Sequence, residues 1–536
     1  MAWDSGRCDM LSRLHTASVS GIDGKHVTVE VDIGRGLPGF YVVGLGDTAV
    51  KEAGQRVKSA VRNSGFEFPV SRIVVNLVPA YLHKKGSHYD LAMAVGILLS
   101  SGAVKGRTAR ALVERSGFLG ELCLDGSISP VKGVLSMVRA LAEQGGVETV
   151  FLPKGNFQEG RLAADACGVK LVPVEHLREA ADYICGLEPL PEFGELSTEF
   201  LTDGSIFGQK NQHLDFSQVK GHEAVKEALA AAVCGNHSIL LVGPPGSGKT
   251  MLAQRIPTIL PEMTPKERLE TTMIYSVAGL LSGEAPLVTE RPFRTADYRT
   301  SRAGLLGGGT VPYPGEASLA HNGVLFIDEF LEMDRKQIDA LRKPMEEEEV
   351  RMIRGGPLYT YPARFLLAAA SNPCRCGYYG DENHACSCTR TQIDQYQSRM
   401  SGPVADRIDM FIPVYPVAYR TMQELKSGSS EDLRRKVLTG REIQAERFRG
   451  SSISLNSQME ERHLKEFCRL GKEEELFVET VVNKYHLSTR RYVKLLRTAR
   501  TLADISENSS ITMYHLGAAF RYIMQGGGYG GLTDAK

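Results

Sequence analysis

The chain has 536 residues, of which 42% are hydrophobic and 24% charged, and its 63 Lys and Arg residues equal its 63 Asp and Glu residues in number. A chain of this length exceeds one hydrophobic core, so we expect about two to four domains. The neutral total favours neither nucleic acid nor membrane as a partner, and any basic surface must be local. Because no apolar run is long enough to span a bilayer and the N-terminus lacks an apolar signal core, we expect a cytoplasmic protein without membrane contact.

The first third of the chain alternates strand-like and helical runs, which predicts a mixed α and β domain. The strand-like runs are 26–33, 40–43, 72–77 and 149–152, and the helical runs are 48–63, 89–100 and about 133–144. Asp47 is expected to cap the first helix, since an Asp side chain accepts from the free N–H groups at a helix start. A polar stretch at 186–214, interrupted by Pro and Gly, predicts a linker.

A phosphate-loop pattern follows the apolar run 238–242 and precedes a run compatible with a helix, 251–256. Glycines at such a loop let successive backbone N–H groups turn inward around a phosphate. Lys249 is expected to reach the β- and γ-phosphates of ATP, and Thr250 to hold Mg²⁺. The alternative is an ordinary glycine turn. The pattern consists of Gly243, Pro244, Pro245, Gly246, Ser247, Gly248, Lys249 and Thr250.

Two further apolar strands end in polar side chains. Asp328 comes 79 residues after Lys249, and Asp328 and Glu329 directly follow the first strand. Asn372 follows the second strand, 365–370. Ligands of open α/β sheets bind beyond the carboxyl ends of the strands, so we expect Asp328 to hold Mg²⁺ through water and Glu329 to orient the attacking water. Solvated acids at a strand end and a turn asparagine are the alternatives.

Four cysteines lie within fifteen residues directly after this strand: Cys374, Cys376, Cys386 and Cys388. Two C-x-C pairs that close a short glycine-containing loop suit a tetrahedral Zn²⁺. The spacing is tighter than the usual C-x-x-C, and free cysteines or a redox-sensitive loop remain alternatives. Between Glu329 and Asn372, residues 350–354 and 357–360 predict a hairpin with a glycine turn.

Helical runs after residue 414 predict an all-α C-terminal region. The runs are about 431–449, 459–469, 473–485, 488–505 and 512–524. The glycine-rich tail, 526–536, is expected to be flexible.

Several segments resemble the ComM/YifB family of magnesium-chelatase-like AAA+ ATPases over about residues 11–524. Among them are GLPGFYVVGLGDTAV, HKKGSHYDLAMAVGIL, GELCLDGSISPVKGV and SGPVADRID. The resemblance implies three parts: a Lon-protease-like (ribosomal S5 domain 2-like) N-terminal domain at 1–185, a P-loop AAA+ α/β module at 215–417 with a cysteine loop at 374–388, and an all-α lid of the magnesium-chelatase C-terminal type at 418–525.

The Lon-like resemblance carries no catalytic dyad. Aligned with the Lon motifs, His88 stands at the position of the nucleophile and Leu135 at that of the catalytic lysine, with Ser87 and Lys132 nearby. Without a nucleophile and its base, acyl transfer has no route. We therefore expect a non-catalytic scaffold or a protein-binding domain.

The resemblance also assigns arginine roles. Arg407 matches the arginine finger of MCM-like motors, which a neighbouring subunit supplies to stabilise charge in the transition state. A local ion pair with Asp406 is the alternative, and Arg399 is a second candidate finger. Arg490 aligns with the sensor 2 arginine of the lid, and Asn372 with sensor 1. A solvated or nucleic-acid-facing helix side is the alternative for Arg490.

The function implied is an ATP-hydrolysing ring motor, a hexamer, that acts on DNA by branch migration of recombination intermediates during natural transformation. The hairpin would line the central channel, where Arg351 and Arg354 would contact phosphates. An ordinary solvated hairpin is the alternative. The alternative is a magnesium-chelatase-type ATPase subunit that remodels a protein partner. The sequence departs from the family at 296–298, where relatives carry paired histidines and this chain has Ala-Asp-Tyr.

Overall fold

The computed structural model describes residues 11–189, 213–281, 286–309, 312–354, 357–400, 402–417 and 427–524. Most of the predicted linker, the start of the predicted lid, the glycine turn of the hairpin and the C-terminal tail lie outside the described residues. Within the described ranges, no helix combines the length and the apolar character needed to cross a membrane.

The N-terminal region is built on a seven-stranded mixed sheet. Its strands and a separate small hairpin (β6 and β7) are β1 (Leu11–Ser20), β2 (Asp23–Gly34), β3 (Gly39–Val43), β4 (Arg72–Val78), β5 (Ser116–Phe118), β6 (Glu121–Leu122), β7 (Ile128–Ser129), β8 (Thr149–Pro153) and β9 (Lys170–Val174). The order across the sheet is β3-β4-β2-β1-β5-β8-β9, with β1–β2 and β2–β4 antiparallel and the other pairs parallel.

Six helices accompany this sheet: α1 (Thr48–Asn63), α2 (Asp90–Ser100), α3 (Arg107–Glu114), α4 (Val134–Glu143), α5 (Phe157–Cys167) and α6 (Leu177–Cys185). The predicted cap of α1 is confirmed, because the backbone N–H of Val50 donates to Asp47 Oδ1 at 2.9 Å. One core cluster gathers α1, α2 and the β2–β4 side of the sheet, and a second gathers α4, α5 and β8.

A five-stranded parallel sheet forms the centre of the molecule. Its strands are β10 (Ile239–Val242), β11 (Phe293–Ala296), β14 (Val324–Ile327), β17 (Leu366–Ser371) and β18 (Met410–Pro413). The order is β11-β14-β17-β10-β18, so β10 lies between β17 and β18. Core clusters cover both faces, which explains why these strands appear in the sequence as uninterrupted apolar runs.

Short helices and two hairpins connect these strands. The helices are α7 (Glu223–Gly235), α8 (Lys249–Ala253), α9 (Pro265–Ala278), α10 (Arg302–Leu306), α11 (Glu316–Leu319), α12 (Arg335–Ala340), α13 (Arg342–Glu347), α14 (Arg390–Gln397) and α15 (Gly402–Ala405). The hairpins are β12 (Gly307–Gly308) with β13 (Tyr313–Pro314), and β15 (Glu349–Ile353) with β16 (Leu358–Pro362). The second hairpin is the one that the sequence predicts.

The C-terminal region is helical, as predicted: α16 (Ser430–Arg447), α17 (Glu461–Phe467), α18 (Lys472–Tyr485), α19 (Thr489–Ile505) and α20 (Met513–Met524). Polar contacts attach α19 to the parallel sheet. Lys494 Nζ donates to the Ile408 carbonyl at 2.6 Å, and His237 Nε2 lies 2.7 Å from Thr501 Oγ1. The N-terminal end of this sheet is thereby fixed against α19.

The N-terminal region packs directly on the central module through α9. Met273 of α9 joins the α4–α5 core cluster, and Ser276 Oγ donates to Glu159 Oε1 at 2.5 Å. The β15–β16 hairpin also touches this region, since Lys85 Nζ donates to Tyr359 OH at 2.7 Å. Neither α9 nor these contacts were predicted from the sequence.

Candidate nucleotide-binding site

The phosphate loop connects β10 to α8. Gly246 and Gly248 have φ values of +75° and +91°, in the left-handed region that residues with a Cβ avoid. A Cβ added at Gly243 would lie 2.0 Å from the Val414 carbonyl oxygen, so this position has no room for a side chain. Backbone conformation and close packing therefore both require the glycines that the motif supplies.

The Lys249 ammonium lies across this loop. Its Nζ donates to the carbonyls of Gly243 at 2.7 Å and Pro244 at 2.8 Å, and to Asn372 Oδ1 at 3.2 Å. Burial lowers the pKa of Lys249 to about 8, against the opposing effect of the Asp328 carboxylate. The structure thus brings Lys249 and Asn372 together, as expected if both face one ligand.

The two predicted Mg²⁺ ligands are also in contact. Thr250 Oγ1 donates to Asp328 Oδ2 at 2.9 Å. A hydroxyl and a carboxylate are hard oxygen donors of the kind that Mg²⁺ takes, and Mg²⁺ usually draws its remaining ligands from water and substrate phosphates. The pair therefore fits the predicted ion.

Glu329 directly follows the metal-ligand candidate and has an unusual backbone. Its φ is +50°, and its N–H donates to Asp328 Oδ1 at 2.9 Å. Such a conformation costs a non-glycine residue about 1 kcal/mol or more and recurs at functional sites. The Glu329 side chain is exposed at the carboxyl edge of the sheet, where a water could reach it.

Arg407 lies at the opposite edge of the sheet. Arg407 lies shortly before the first residue of β18, and Ser238 lies just before the first residue of β10. Ser238 Oγ donates to the Arg407 carbonyl at 2.5 Å. These strands are parallel, so the amino ends of both lie at one edge and the phosphate loop lies at the other. Four residues of β10 separate the edges by about 13 Å. Arg407 therefore does not reach the phosphate loop of its own chain.

Arg490 shares this location. Arg407 and Arg490 both line a cavity of about 710 Å³ at the amino edge. Arg407 pairs with Glu346, at 2.5 Å between Nη2 and Oε2, rather than with Asp406. Asp406 lies 3.7 Å from Arg490 instead. The alternative of a local Asp406–Arg407 pair is therefore wrong.

The second candidate finger, Arg399, is held within its own chain. Its Nη1 donates to the Leu331 carbonyl at 2.9 Å and to Glu332 Oε2 at 3.1 Å. These acceptors follow β14 at the carboxyl edge. Arg399 is thus separate from the cavity of Arg407 and Arg490.

The four cysteines of the loop converge. The sulfur atoms of Cys374 and Cys376 are 3.3 Å apart, and those atoms lie 3.7 Å and 3.5 Å from Cys386 Sγ. All four sulfur atoms, including that of Cys388, lie within 4.8 Å of one another. A tetrahedral Zn²⁺ with bonds of about 2.3 Å places its sulfur ligands about 3.8 Å apart. The donor set and its size therefore fit zinc.

The cysteine loop packs on the phosphate loop. Gly377, at φ +91°, lies so close to Pro245 that an added Cβ would be 2.7 Å from Pro245 Cδ and about 4.0 Å from Asn372 Cγ. A metal at the cysteines would therefore stabilise both the phosphate loop and the strand end that carries Asn372.

The serine and the lysine of the Lon-like alignment have different partners. Ser87 Oγ donates to the Glu121 carboxylate, whereas the Lys132 ammonium lies over the Tyr313 ring, 5.3 Å from its centroid. His88 is buried, and burial lowers its pKa to about 4. Leu135 lies in the α4–α5 core. None of these four side chains forms a nucleophile–base pair in the part of the chain that the structure describes.

Sequence reasoning missed Glu346, the partner of Arg407. It belongs to a run of four glutamates, residues 346–349, which resembles a solvated acidic face. No local pattern distinguishes one member of such a run from another. Only the tertiary contact with Arg407 singles out Glu346.

The strand order and the phosphate-loop site together define a P-loop module of the AAA+ class. The chain matches the family models described as "Subunit ChlI of Mg-chelatase" over residues 29–156, "Magnesium chelatase, subunit ChlI" over 215–422 and "Magnesium chelatase, subunit ChlI C-terminal" over 427–523. All three described parts of the chain are thus represented.

Individual relatives match at nearly full length. The chain is 38% identical over 517 residues to the competence protein ComM of Haemophilus influenzae and 37% identical over 516 residues to the uncharacterized protein YifB of Escherichia coli, covering 96% of this chain and 97% of each relative. It is 22% identical over 306 residues to the maternal DNA replication licensing factor mcm6 of Xenopus tropicalis, which covers 54% of this chain and 32% of that protein. The chain belongs to the ComM/YifB family of magnesium-chelatase-like proteins, as its motifs predicted.

Proposed function

We propose that this protein is an ATP-hydrolysing AAA+ motor that works as a homo-oligomeric ring, a hexamer, on DNA. The observation that carries the proposal is the division of the site between two edges of one sheet. Lys249 and Asp328 lie at the carboxyl edge, and Arg407 and Arg490 lie at the amino edge. One chain cannot complete its own site, so a head-to-tail neighbour supplies both arginines, and such contacts close into rings.

Each residue has a role in hydrolysis of the γ-phosphate. Lys249 binds the β- and γ-phosphates, and Thr250 with Asp328 would hold Mg²⁺, which supplies charge neutralisation when bound. Glu329 orients a water molecule whose oxygen attacks the γ-phosphorus. The Glu329 carboxylate accepts the proton that this water loses. The bond between phosphorus and the β–γ bridging oxygen breaks, and ADP leaves with the electron pair. Asn372 hydrogen-bonds the γ-phosphate or the attacking water.

The neighbour's arginines stabilise the charge that develops in this step. A guanidinium stays charged and can bind two phosphate oxygens at once, so Arg407 acts as the finger and Arg490 as the second sensor. Hydrolysis then depends on assembly, because the phosphate loop and the finger belong to different copies.

DNA is the proposed substrate of the motor. The support is that one relative is a competence protein and that part of the chain matches a DNA replication licensing factor. The β15–β16 hairpin carries two exposed arginines, Arg351 and Arg354, which would contact phosphates in the channel. The activity that fits this class is branch migration of recombination intermediates during natural transformation.

The N-terminal region acts as a Lon-like but non-catalytic scaffold in this proposal, and it is the surface through which a protein partner would bind. Its support is that Ser87 and Lys132 contact different partners, Glu121 and Tyr313. The sulfur geometry of the cysteine loop supports a structural Zn²⁺ beside the nucleotide.

A second candidate function is a magnesium-chelatase-type ATPase subunit that remodels a protein partner. The matches to three models named for a magnesium-chelatase subunit favour it. The two functions share the ATP site and differ in the client.

ATPase assays with and without branched DNA test the proposal and separate the two clients. We expect DNA to raise the rate, and both Lys249→Ala and Arg407→Ala to lower the rate about 100-fold or more with DNA present. A wild-type rate that is indifferent to every DNA structure would overturn the DNA function and favour a protein client. Full activity of Arg407→Ala would overturn the ring motor itself.

A further inference from the structure

We propose that Glu346 is a positioning residue that links the nucleotide held by one copy of the chain to the β15–β16 hairpin of the next copy. This inference rests on the proposed ring motor, in which Arg407 contacts the neighbour's nucleotide. Glu346 pairs with Arg407 from α13, and α13 leads directly into β15.

In the isolated chain, Glu346 occupies the place of an anion at the finger. Its Oε2 lies 2.5 Å from Arg407 Nη2, while Arg407 Nη1 donates to the Pro403 carbonyl at 2.5 Å. The hydrogen bond and charge of Arg407 hold the pKa of Glu346 below its usual range, and Arg490 contributes in the same direction. The Glu346 carboxylate therefore takes the acceptor position at Arg407 that a phosphate oxygen would need.

The arrangement of Arg407 is incomplete without a neighbour. Its side chain is 11% exposed, and its Nε is buried without a hydrogen-bond partner among the described residues. A buried N–H without an acceptor is unfavourable, so the guanidinium can gain hydrogen bonds when an external acceptor arrives. Glu346 is 53% exposed, so it can leave the pair and remain hydrated.

The connection from Glu346 to the hairpin is short. Glu347 ends α13, Glu348 adopts a left-handed φ of +55°, and β15 starts at Glu349. The Glu348 carbonyl accepts from the Ala363 N–H at 2.7 Å, directly beyond the end of β16. A displacement of Glu346 is therefore transmitted to both strands rather than absorbed by a loop.

An exchange of partners follows. When the neighbour's ATP enters the cavity, Arg407 transfers its hydrogen bonds from the Glu346 carboxylate to phosphate oxygens. The released carboxylate moves away because like charges repel at this distance, and α13 moves with β15. When phosphate leaves, the Glu346–Arg407 pair forms again and the hairpin returns.

Glu346→Gln tests the exchange through ATP hydrolysis. It removes the charge at nearly constant size, so Arg407 is no longer held against phosphate. We expect the ATP concentration for half-maximal rate to fall about two- to fivefold, the range expected from loss of a partly exposed ion pair. Glu348→Gln is the matched control, because it removes the same charge from the same cavity and Glu348 forms no ion pair with any of the described residues. If Glu346→Gln and Glu348→Gln reach half-maximal rate at the same ATP concentration, the proposal is overturned.

A fluorescence measurement tests the movement of the hairpin. Ile353, at the end of β15, is 71% exposed, so a tryptophan introduced by Ile353→Trp can report on the hairpin. The one tryptophan of the natural chain is removed by Trp3→Phe. We expect a non-hydrolysable ATP analogue to shift the emission of the assembled protein. Glu346→Gln is expected to abolish the shift, and Glu346→Asp, which keeps the charge, to retain part of it. A full shift in Glu346→Gln would overturn the relay.

Neither readout uses DNA, so failure of the relay and failure of the proposed function are distinguishable. If Arg407→Ala abolishes hydrolysis while Glu346→Gln behaves as Glu348→Gln, only the relay is wrong. If DNA leaves the rate unchanged while Glu346→Gln shifts the half-saturating ATP concentration, the relay stands and the client changes.

Discussion

The ammonium of Lys249 finds its hydrogen-bond acceptors within the chain itself. Two loop carbonyls and Asn372 accept from its ammonium, and burial lowers its pKa to about 8. ATP would replace these acceptors with phosphate oxygens, whose negative charge raises the pKa of a nearby ammonium. Binding above pH 8 therefore requires uptake of a proton by Lys249.

ATP affinity is expected to fall as the pH rises through about 8. Below this pKa, Lys249 is already charged in the free protein and contributes no pH dependence. Above it, the dissociation constant rises by at most about tenfold per pH unit until the pKa of the bound state is reached. Titration calorimetry between pH 7 and 10 measures both the affinity and the proton uptake.

Lys249→Arg is the control for this titration, because a guanidinium stays charged throughout the range. The ATP affinity of this variant is expected to stay constant over the pH range in which the affinity of the wild type falls. The same pH dependence in both proteins would show that the slope comes from another group, and the account of Lys249 would be wrong.

At the residue scale, local patterns were sufficient for one half of the site. The phosphate loop and Asp328 could be predicted because each depends on a contiguous motif at a strand end. The partner of Arg407 could not, because the pair joins α13 to the turn before β18 and leaves no periodic or spacing signal. The role of Arg490 was predicted from the resemblance to the family. Its location at the amino edge of the sheet could not be predicted, because it depends on the complete fold.

At the element scale, the cysteine loop is the part of the site that a bound metal would order. It connects β17 to α14 and contacts Pro245 of the phosphate loop through Gly377. We therefore expect the order of this loop to affect nucleotide binding, although no cysteine lies in the motif itself.

Elemental analysis of the purified protein is expected to find about one zinc ion per chain. Cys386→Ser removes one ligand and is expected to lower both the zinc content and, several-fold, the ATP affinity. Cys167→Ser, at an exposed cysteine of α5, is the control and should change neither. A metal-free wild-type protein, or unchanged ATP affinity after complete zinc loss, would contradict this role of the loop.

The β15–β16 hairpin is held by the N-terminal region as well as by α13. Lys85 Nζ donates to Tyr359 OH and lies 4.6 Å from the centroid of that ring. A contact of this kind contributes about 1 kcal/mol, enough to change the population of an open hairpin several-fold.

Lys85→Ala is expected to open the hairpin more often. Because Arg354 is exposed beside the turn, trypsin should cleave after it about fivefold faster in the variant. Lys51→Ala, at an exposed lysine of α1, is the matched control. Equal cleavage rates in the wild type and Lys85→Ala would show that the N-terminal region does not restrain the hairpin.

All five C-terminal helices were predicted as helical runs, although α19 buries polar side chains such as Thr498 and Thr501. The helix α9 was not predicted, and its buried residues include Thr271, Thr272 and Ser276 beside its apolar ones. The start of α9 could nevertheless have been predicted, because Thr264 and Glu267 form a capping box and Pro265 is the first helical residue.

For the whole molecule, the position of the N-terminal region could not be predicted. It depends on buried polar contacts between distant segments, such as Ser276 with Glu159. The division of the nucleotide site between two sheet edges is equally a property of the complete fold. It leads to the central claim that each ATP is held between two copies of the chain.

Mixing two inactive variants tests this claim most directly. Lys249→Ala loses phosphate binding, Arg407→Ala loses the finger, and each is expected to be inactive alone. Mixed rings contain interfaces in which an intact Lys249 faces an intact Arg407, so we predict that an equal mixture recovers ATPase activity at up to roughly a quarter of its sites. No recovery in rings shown to contain both variants would contradict the claim.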